Sequence, residues 1–186
     1  EVEEEPTTGD VVGYLSANSV DYALSVLSCT NNYLPALLNA RWTVSECVDA
    51  LKPGRVALIL HSPSFKDAAQ QIAAKLSIKC KPIPDFAQQR FASRPLSSTG
   101  SQSKRDRSHS ASVVVSRKDA FIVFTSGTTS SSKGVVLSHE ALYSQCGAKL
   151  FGLCGYSEQT RLLATTVPFF HVGGLSSLLA VWLAGG

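Results

Sequence analysis

The stretch from Phe121 to His139, FIVFTSGTTSSSKGVVLSH, constrains this chain more than any other. Phe121-Ile122-Val123-Phe124 is an unbroken apolar run and reads as a short buried strand. It passes directly into Thr125 to Ser132, where only Gly127 lacks a side-chain hydroxyl, and then into Lys133, Gly134 and a second β-branched run. Thr125, Ser126, Thr128, Thr129 and Ser130 to Ser132 each offer an O–H and a backbone N–H. Gly127 and Gly134 let the backbone bend close to a ligand, and Lys133 adds a point positive charge. That set of donors suits phosphate oxygens. The order Lys133-Gly134-Val135 is not the Gly-Lys-Ser/Thr of a Walker loop, which excludes that class. A Ser/Thr-rich connector between two strands is the plain alternative.

Upstream, the pattern alternates strand and helix. Val11 to Leu15 is strand-like, Asn18-Ser19 forms a turn and helix cap, and Val20 to Cys29 carries apolar residues at helical spacing. Tyr33 to Leu38 is a second apolar run. Thr43 to Leu51 reads as a helix, with Thr43 and Glu46 spaced as a capping box. The order then recurs: strand at Arg55 to His61, turn at Ser62 to Ser64, amphipathic helix at Phe65 to Leu76, and a short strand at Cys80 to Ile83. Two such units in succession predict an α/β fold, a parallel sheet with helices on both faces.

Residues 93–116 are a different material, Ser-rich and basic, and nearly free of large apolar groups until Val113. Such a composition cannot bury enough surface to order itself, so it reads as a mobile loop. The chain thus divides into an acidic tail at 1–9, a first α/β portion at 10–92, a Ser/Arg-rich mobile loop at 93–118 and a portion at 119–186 that holds the phosphate loop. The net charge of +3 is too small to argue for nucleic acid, and the basic loop has no aromatics to stack bases. The five cysteines form no C-x-x-C pair and no Cys/His cluster, so no metal site is expected and an intracellular, reducing setting is.

After the loop, Ser138 caps a helix running to about Phe151, with a stripe of Ala141, Leu142, Gln145, Ala148 and Lys149, and His139 reads as a helix-start residue. Leu162 to Pro168 reads as a strand leading to Pro168-Phe169-Phe170-His171-Val172-Gly173-Gly174-Leu175. A His after two aromatics and before two glycines, where a strand gives way to a helix, sits where open α/β sheets place ligands. The aromatics build an apolar wall, Gly173 and Gly174 leave room, and His171 plugs or polarises the cavity. From Leu162 on the chain is long and apolar enough to span a bilayer, but Pro168, His171 and the glycine pair interrupt it, so a buried core helix is expected instead.

The run Thr125-Ser126-Gly127-Thr128-Thr129-Ser130-Ser131-Ser132-Lys133-Gly134-Val135 resembles the phosphate loop of the adenylate-forming superfamily, Thr-Ser-Gly-Thr-Thr-Gly-x-Pro-Lys-Gly-Val. Ser130 and Ser132 depart from its Gly and Pro. The Pro168 to Leu175 stretch resembles that family's Pro-x-x-His-x-x-Gly-Leu motif. The resemblance implies the N-terminal part of the family's large domain, with the later adenine, ribose and hinge motifs and the small C-terminal domain absent, so a fragment is expected. It implies ATP with Mg and coenzyme A as co-substrates, a small carboxylic acid as substrate, and an acyl adenylate on the way to a thioester. By this resemblance Thr125, Ser126, Gly127, Thr128, Thr129, Ser130 and Lys133 hold ATP phosphates, Thr128 meets Mg through the nucleotide, and His171, Gly173 and Gly174 shape the acid pocket. No residue in this portion acts as a catalytic acid or base. Arg41-Trp42, Phe151-Gly152-x-x-Gly155-Tyr156 and His171 to Ser177 most resemble plant-type 2-succinylbenzoate–CoA ligases of phylloquinone synthesis, which implies a plastid or peroxisome. Trp42 itself is expected to cover the core without touching ligand. The other function class is a truncated, non-catalytic phosphate- or partner-binding module. The oligomeric state is not legible in the sequence.

Overall fold

The computed structural model describes residues 6–30, 32–86, 118–125, 132–152, 155–161 and 167–186. The acidic residues 1–5, the Ser/Arg-rich segment up to 117 and residues 162–166 of the strand expected before Pro168 lie outside the described residues. Strands β1 (Val11–Leu15), β2 (Leu34–Leu37), β3 (Val56–His61), β4 (Lys79–Pro82), β5 (Asp119–Thr125) and β6 (Lys133–Ser138) form one sheet in the order β4-β3-β1-β2-β5-β6. The helices are α1 (Val20–Cys29), α2 (Val44–Leu51), α3 (Lys66–Leu76), α4 (His139–Phe151) and α5 (Val172–Leu183). β1, β2, β3, β4 and β5 pair in parallel, as the strand–helix alternation predicts, and β6 turns back antiparallel to β5. A parallel crossover needs about a dozen residues, and the link from Thr125 to Lys133 is shorter, so only a hairpin fits.

Side-chain alternation then assigns two cores. Val12 and Tyr14 of β1, Leu37, Leu58, Phe121 and Val123 face α1, α4 and α5, while Val11, Leu15, Ala36, Leu38 and Ile59 face α2 and α3. From β1 the chain steps outward to β2, then back across β1 to β3, and right-handed crossovers in opposite directions place their helices on opposite faces. At Gly13 a Cβ would lie 2.6 Å from Ile59 Cδ1, so the residue lets the α2 face close over β1. Each buried Leu, Ile, Val or Phe contributes roughly 1.5–3 kcal/mol relative to an exposed one, which is what holds the sheet between its two helical layers.

The helix starts follow the sequence signals. Ser19 Oγ accepts from Tyr22 N at 3.0 Å and Ser138 Oγ from Ala141 N at 3.1 Å. Thr43 and Glu46 form the reciprocal capping box: Glu46 Oε2 accepts from Thr43 N at 2.7 Å and Thr43 Oγ1 accepts from Glu46 N at 3.3 Å. His139 opens α4, its N–H donating to Lys118 O at 2.9 Å. The stripe of α4 differs from the expected one. Its buried residues are Leu142 and Cys146, whereas Ala141, Gln145 and Ala148 are exposed, because the helix is rotated to bring Lys149 over α5. Near the N-terminus, Asp10 Oδ2 accepts from Thr7 N and Oγ1 at 2.8 and 2.9 Å, which ties Thr7 to the start of β1.

Candidate functional site

The C-terminal ends of β1, β2, β3 and β5 all reach the same edge of the sheet, because those strands are parallel. Along that edge lie the turn after β1, the Leu38 to Thr43 segment after β2 and Thr125 at the end of β5. Register puts Thr125 opposite Lys133 across the β5–β6 hairpin, with Thr125 Oγ1 donating to Lys133 O at 3.5 Å. Both side chains are exposed at the mouth of the loop. Ser126, Gly127, Thr128, Thr129 and Ser130, the rest of the expected phosphate set, lie outside the described residues. Gly134 does not bend the chain. It sits within β6 opposite Phe124, where a Cβ would come within 3.2 Å of Ile122 and 3.3 Å of the Phe124 ring, so its bareness makes room for those side chains.

His171 is exposed and extended, and occupies the N-cap of α5 with no side-chain cap bond. Its ring lies 4.6 Å from that of Phe170. Between this pair and the tips of β2 and β5 is a pocket of about 260 Å³, lined by Leu37, Asn39, Trp42, Phe124, Phe170 and His171. The Trp42 and Phe124 rings meet edge to face with centroids 5.5 Å apart, and the lining mixes rings with polar surface such as Asn39. The turn before α5 closes with His171 N donating to Pro168 O at 3.1 Å. Asn18, beyond β1, spans to the same turn: its Nδ2 donates to Val167 O at 2.9 Å and its Oδ1 accepts from Phe169 N at 2.8 Å.

The two glycines do different things. Gly173 is exposed and its carbonyl accepts from Lys149 Nζ at 3.2 Å. Gly174 is buried, and a Cβ there would fall 2.3 Å from Pro168 O, so its bareness seats α5 on the preceding turn instead of opening space beside His171. Lys149 also donates to Ser176 Oγ at 2.8 Å and Ser177 Oγ at 2.7 Å, tying α4 to α5. The sequence reading missed Lys149 and Asn18 as tethers, and placed Trp42 in the core alone. Trp42 packs against the α2–α3 core and also lines the pocket. The available signal was topological: β2 and β5 are neighbours, so residues just past their ends must meet.

Among the described residues the arrangement places the Thr125 hydroxyl and the Lys133 ammonium on the same sheet edge as this pocket. The buried thiols of Cys29 and Cys47 do not line it. Burial pushes Cys29 up to about 11 and Cys47 up to about 12, so both are protonated at neutral pH. Among the described residues no group of three or more His, Cys, Asp or Glu is placed to hold a metal ion. No helix among the described residues is long and apolar enough to cross a membrane.

Residues 6–186 match a family described as AMP-binding enzyme. The chain belongs to that family. Its match to this adenylate-forming family corresponds to the N-terminal part of longer members: the chain spans about a third of the length of the curated relatives it matches. It is 26% identical over 184 residues to 4-coumarate–CoA ligase 1 of Petroselinum crispum, covering 96% of this chain and 32% of that one. It is 28% identical over 193 residues to the chloroplastic/peroxisomal 2-succinylbenzoate–CoA ligase of Arabidopsis thaliana, covering 95% and 32%. Those identities do not separate one acid from the other. Apo MatB from Rhodopseudomonas palustris superposes with a TM-score of 0.70 at 21% identity, over 97% of this chain and 34% of that one. The O-succinylbenzoate coenzyme A synthetase MenE of Bacillus subtilis in complex with AMP does so at 0.68 and 20%, over 95% and 42%. These likenesses show the fold.

Proposed function

We propose that the protein is an AMP-forming acid–CoA ligase that activates an aromatic carboxylic acid, 2-succinylbenzoate first among candidates. In this reading the carboxylate attacks the α-phosphate of MgATP, giving an acyl adenylate and pyrophosphate, and the thiol of coenzyme A then displaces AMP. The observation that carries it is the convergence on one sheet edge of the Thr125–Lys133 loop mouth and the aromatic pocket beside His171. The two motifs are far apart in sequence, and parallel topology brings them to the same rim, the place where α/β sheets bind ligands.

Each residue has a role that its chemistry supports. Thr125, Ser126, Gly127, Thr128, Thr129 and Ser130 supply O–H and N–H donors, and Lys133 its ammonium, to the phosphates that leave as pyrophosphate. His171, with Gly173 and Gly174 shaping the turn, forms one side of the acid pocket. A carboxylate is already ionised at neutral pH, so no general base is required. 2-Succinylbenzoate is favoured over 4-coumarate by the likeness of residues 151–156 and 171–177 to its ligases, and a plastid or peroxisome is the corresponding location.

The test is acid-dependent exchange of labelled pyrophosphate into ATP by the native polypeptide, across 2-succinylbenzoate, 4-coumarate and oxalate. We expect exchange with the aromatic acids, fastest with 2-succinylbenzoate. Exchange driven only by oxalate would remove the aromatic assignment, and exchange with no carboxylic acid would remove the ligase reading.

A further inference from the structure

The segment that carries His171 follows residues 162–166, and β1 and α1 hold it from the other end of the chain. Asn18 lies three residues past the last residue of β1 and just before Ser19, the cap of α1. Its carboxamide bridges Val167 O at 2.9 Å and Phe169 N at 2.8 Å, contacts that span 149 and 151 residues. A carboxamide presents one donor and one acceptor side by side, which matches a carbonyl and an N–H two residues apart. The residue between them, Pro168, has no N–H to offer, so Val167 and Phe169 supply the pair. Tyr22 of α1 adds an apolar contact to the same turn, its ring 6.1 Å from that of Phe169. With Val167 and Phe169 held, Pro168 is fixed. Pro168 O in turn accepts the N–H of His171, and Gly174 seats α5 against the same carbonyl. The chain of contacts therefore runs from Asn18 through Pro168 to His171 without a gap.

We infer that Asn18 is a positioning residue for the acid pocket: it sets the place of Phe170 and His171 against the Leu37, Trp42 and Phe124 side, and so the width of the slot. This rests on the acid–CoA ligase reading of that pocket. The carboxamide bonds of Asn18 run to the turn that carries Phe170 and His171, so the effect is expected on the acid. Removing the carboxamide hands Val167 O to solvent and takes from the part-buried Phe169 N–H its acceptor, a loss of the size that changes a binding constant about tenfold.

The experiment compares Asn18→Ala, Asn18→Asp and Ser19→Ala in the native polypeptide by two readouts. In pyrophosphate exchange, Asn18→Ala is expected to raise the KM for the acid about tenfold and leave the KM for ATP within about twofold. Asn18→Asp keeps the acceptor for Phe169 N–H but turns an oxygen toward Val167 O, so it should fall between Ala and the unchanged protein. Ser19→Ala removes the neighbouring cap, and is expected to lower the melting temperature without moving the acid KM. In amide hydrogen exchange, a peptide spanning 167–171 should exchange faster in Asn18→Ala while a peptide from β1 does not. Equal rises in both KM values, an acid KM that does not move, or unchanged exchange at 167–171 would each overturn the inference. If the unchanged protein supports no acid-dependent exchange, the ligase reading falls. The amide readout still decides whether Asn18 holds the turn.

Discussion

Lys133 is one of two described residues of the expected phosphate set, with Thr125, and the only charged one. Its ammonium stands at the mouth of the hairpin loop, so in the proposed reaction it meets the phosphates that depart and not the adenosine end. Lys133→Ala should therefore slow pyrophosphate exchange by about a hundredfold or more, the scale for losing one preoriented donor, while AMP binding stays close to unchanged. Equal loss of both would sink the assigned role, and calorimetric titration with AMP beside the exchange assay separates the outcomes. Other single residues were read less well from sequence. Gly134 and Gly174 were legible as positions that need no side chain, but what crowds them, the Phe124 ring and the Pro168 carbonyl, belongs to neighbours that only the fold supplies. Trp42 was legible as an aromatic beside a helix cap. Its second surface, on the pocket, depends on β5 lying next to β2.

Elements were easier to foresee, because their signals are local. The Thr43-x-x-Glu46 spacing predicts a capping box, and both of its reciprocal bonds are present. The cap makes a testable contribution. Thr43→Ala removes the hydroxyl that accepts from Glu46 N and should lower stability by about 1 kcal/mol, seen as a lower denaturant midpoint. The pair also has a pH signature. The Thr43 N–H, and then its hydroxyl, hold the Glu46 carboxyl below the usual carboxylate range. A carboxyl with a depressed folded-state pKa stabilises the fold above its unfolded-state value, and that contribution fades as the pH falls through the folded-state value. Glu46→Gln keeps an acceptor but cannot titrate, so it should flatten the acid limb of stability against pH. An unchanged acid limb would show that the box adds nothing to the pH response. The α4 stripe was misjudged for the complementary reason. Helical spacing permits several faces, and contacts with α5, including the three hydrogen bonds of Lys149, select the one that is used.

At the scale of the molecule, two strand–helix units in succession were enough to predict a parallel sheet between helical layers, since crossover handedness leaves few other arrangements. Strand order was not readable, because it depends on which strands find each other across long separations. The resulting design has one property that both tryptophans can report. Trp182 is half-buried against the α1, α4 and α5 core, and Trp42 against the α2 and α3 core. β1 runs between the two, with Val12 and Tyr14 on one side and Val11 and Leu15 on the other. Stripping either helical layer would expose half of β1 along with it, so the layers should not melt separately. Single-tryptophan variants, Trp42→Phe and Trp182→Phe, let each face be followed by fluorescence in urea. Their transitions should share one slope, and each should coincide with the loss of helix by circular dichroism of the same variant, as a two-state unit requires. If the Trp42 and Trp182 signals instead depart from the helix signal at different urea concentrations, the two faces are separate cooperative units. The sheet would then be a floor on which each folds by itself, and the pocket between β2, β5 and α5 would lie across the seam.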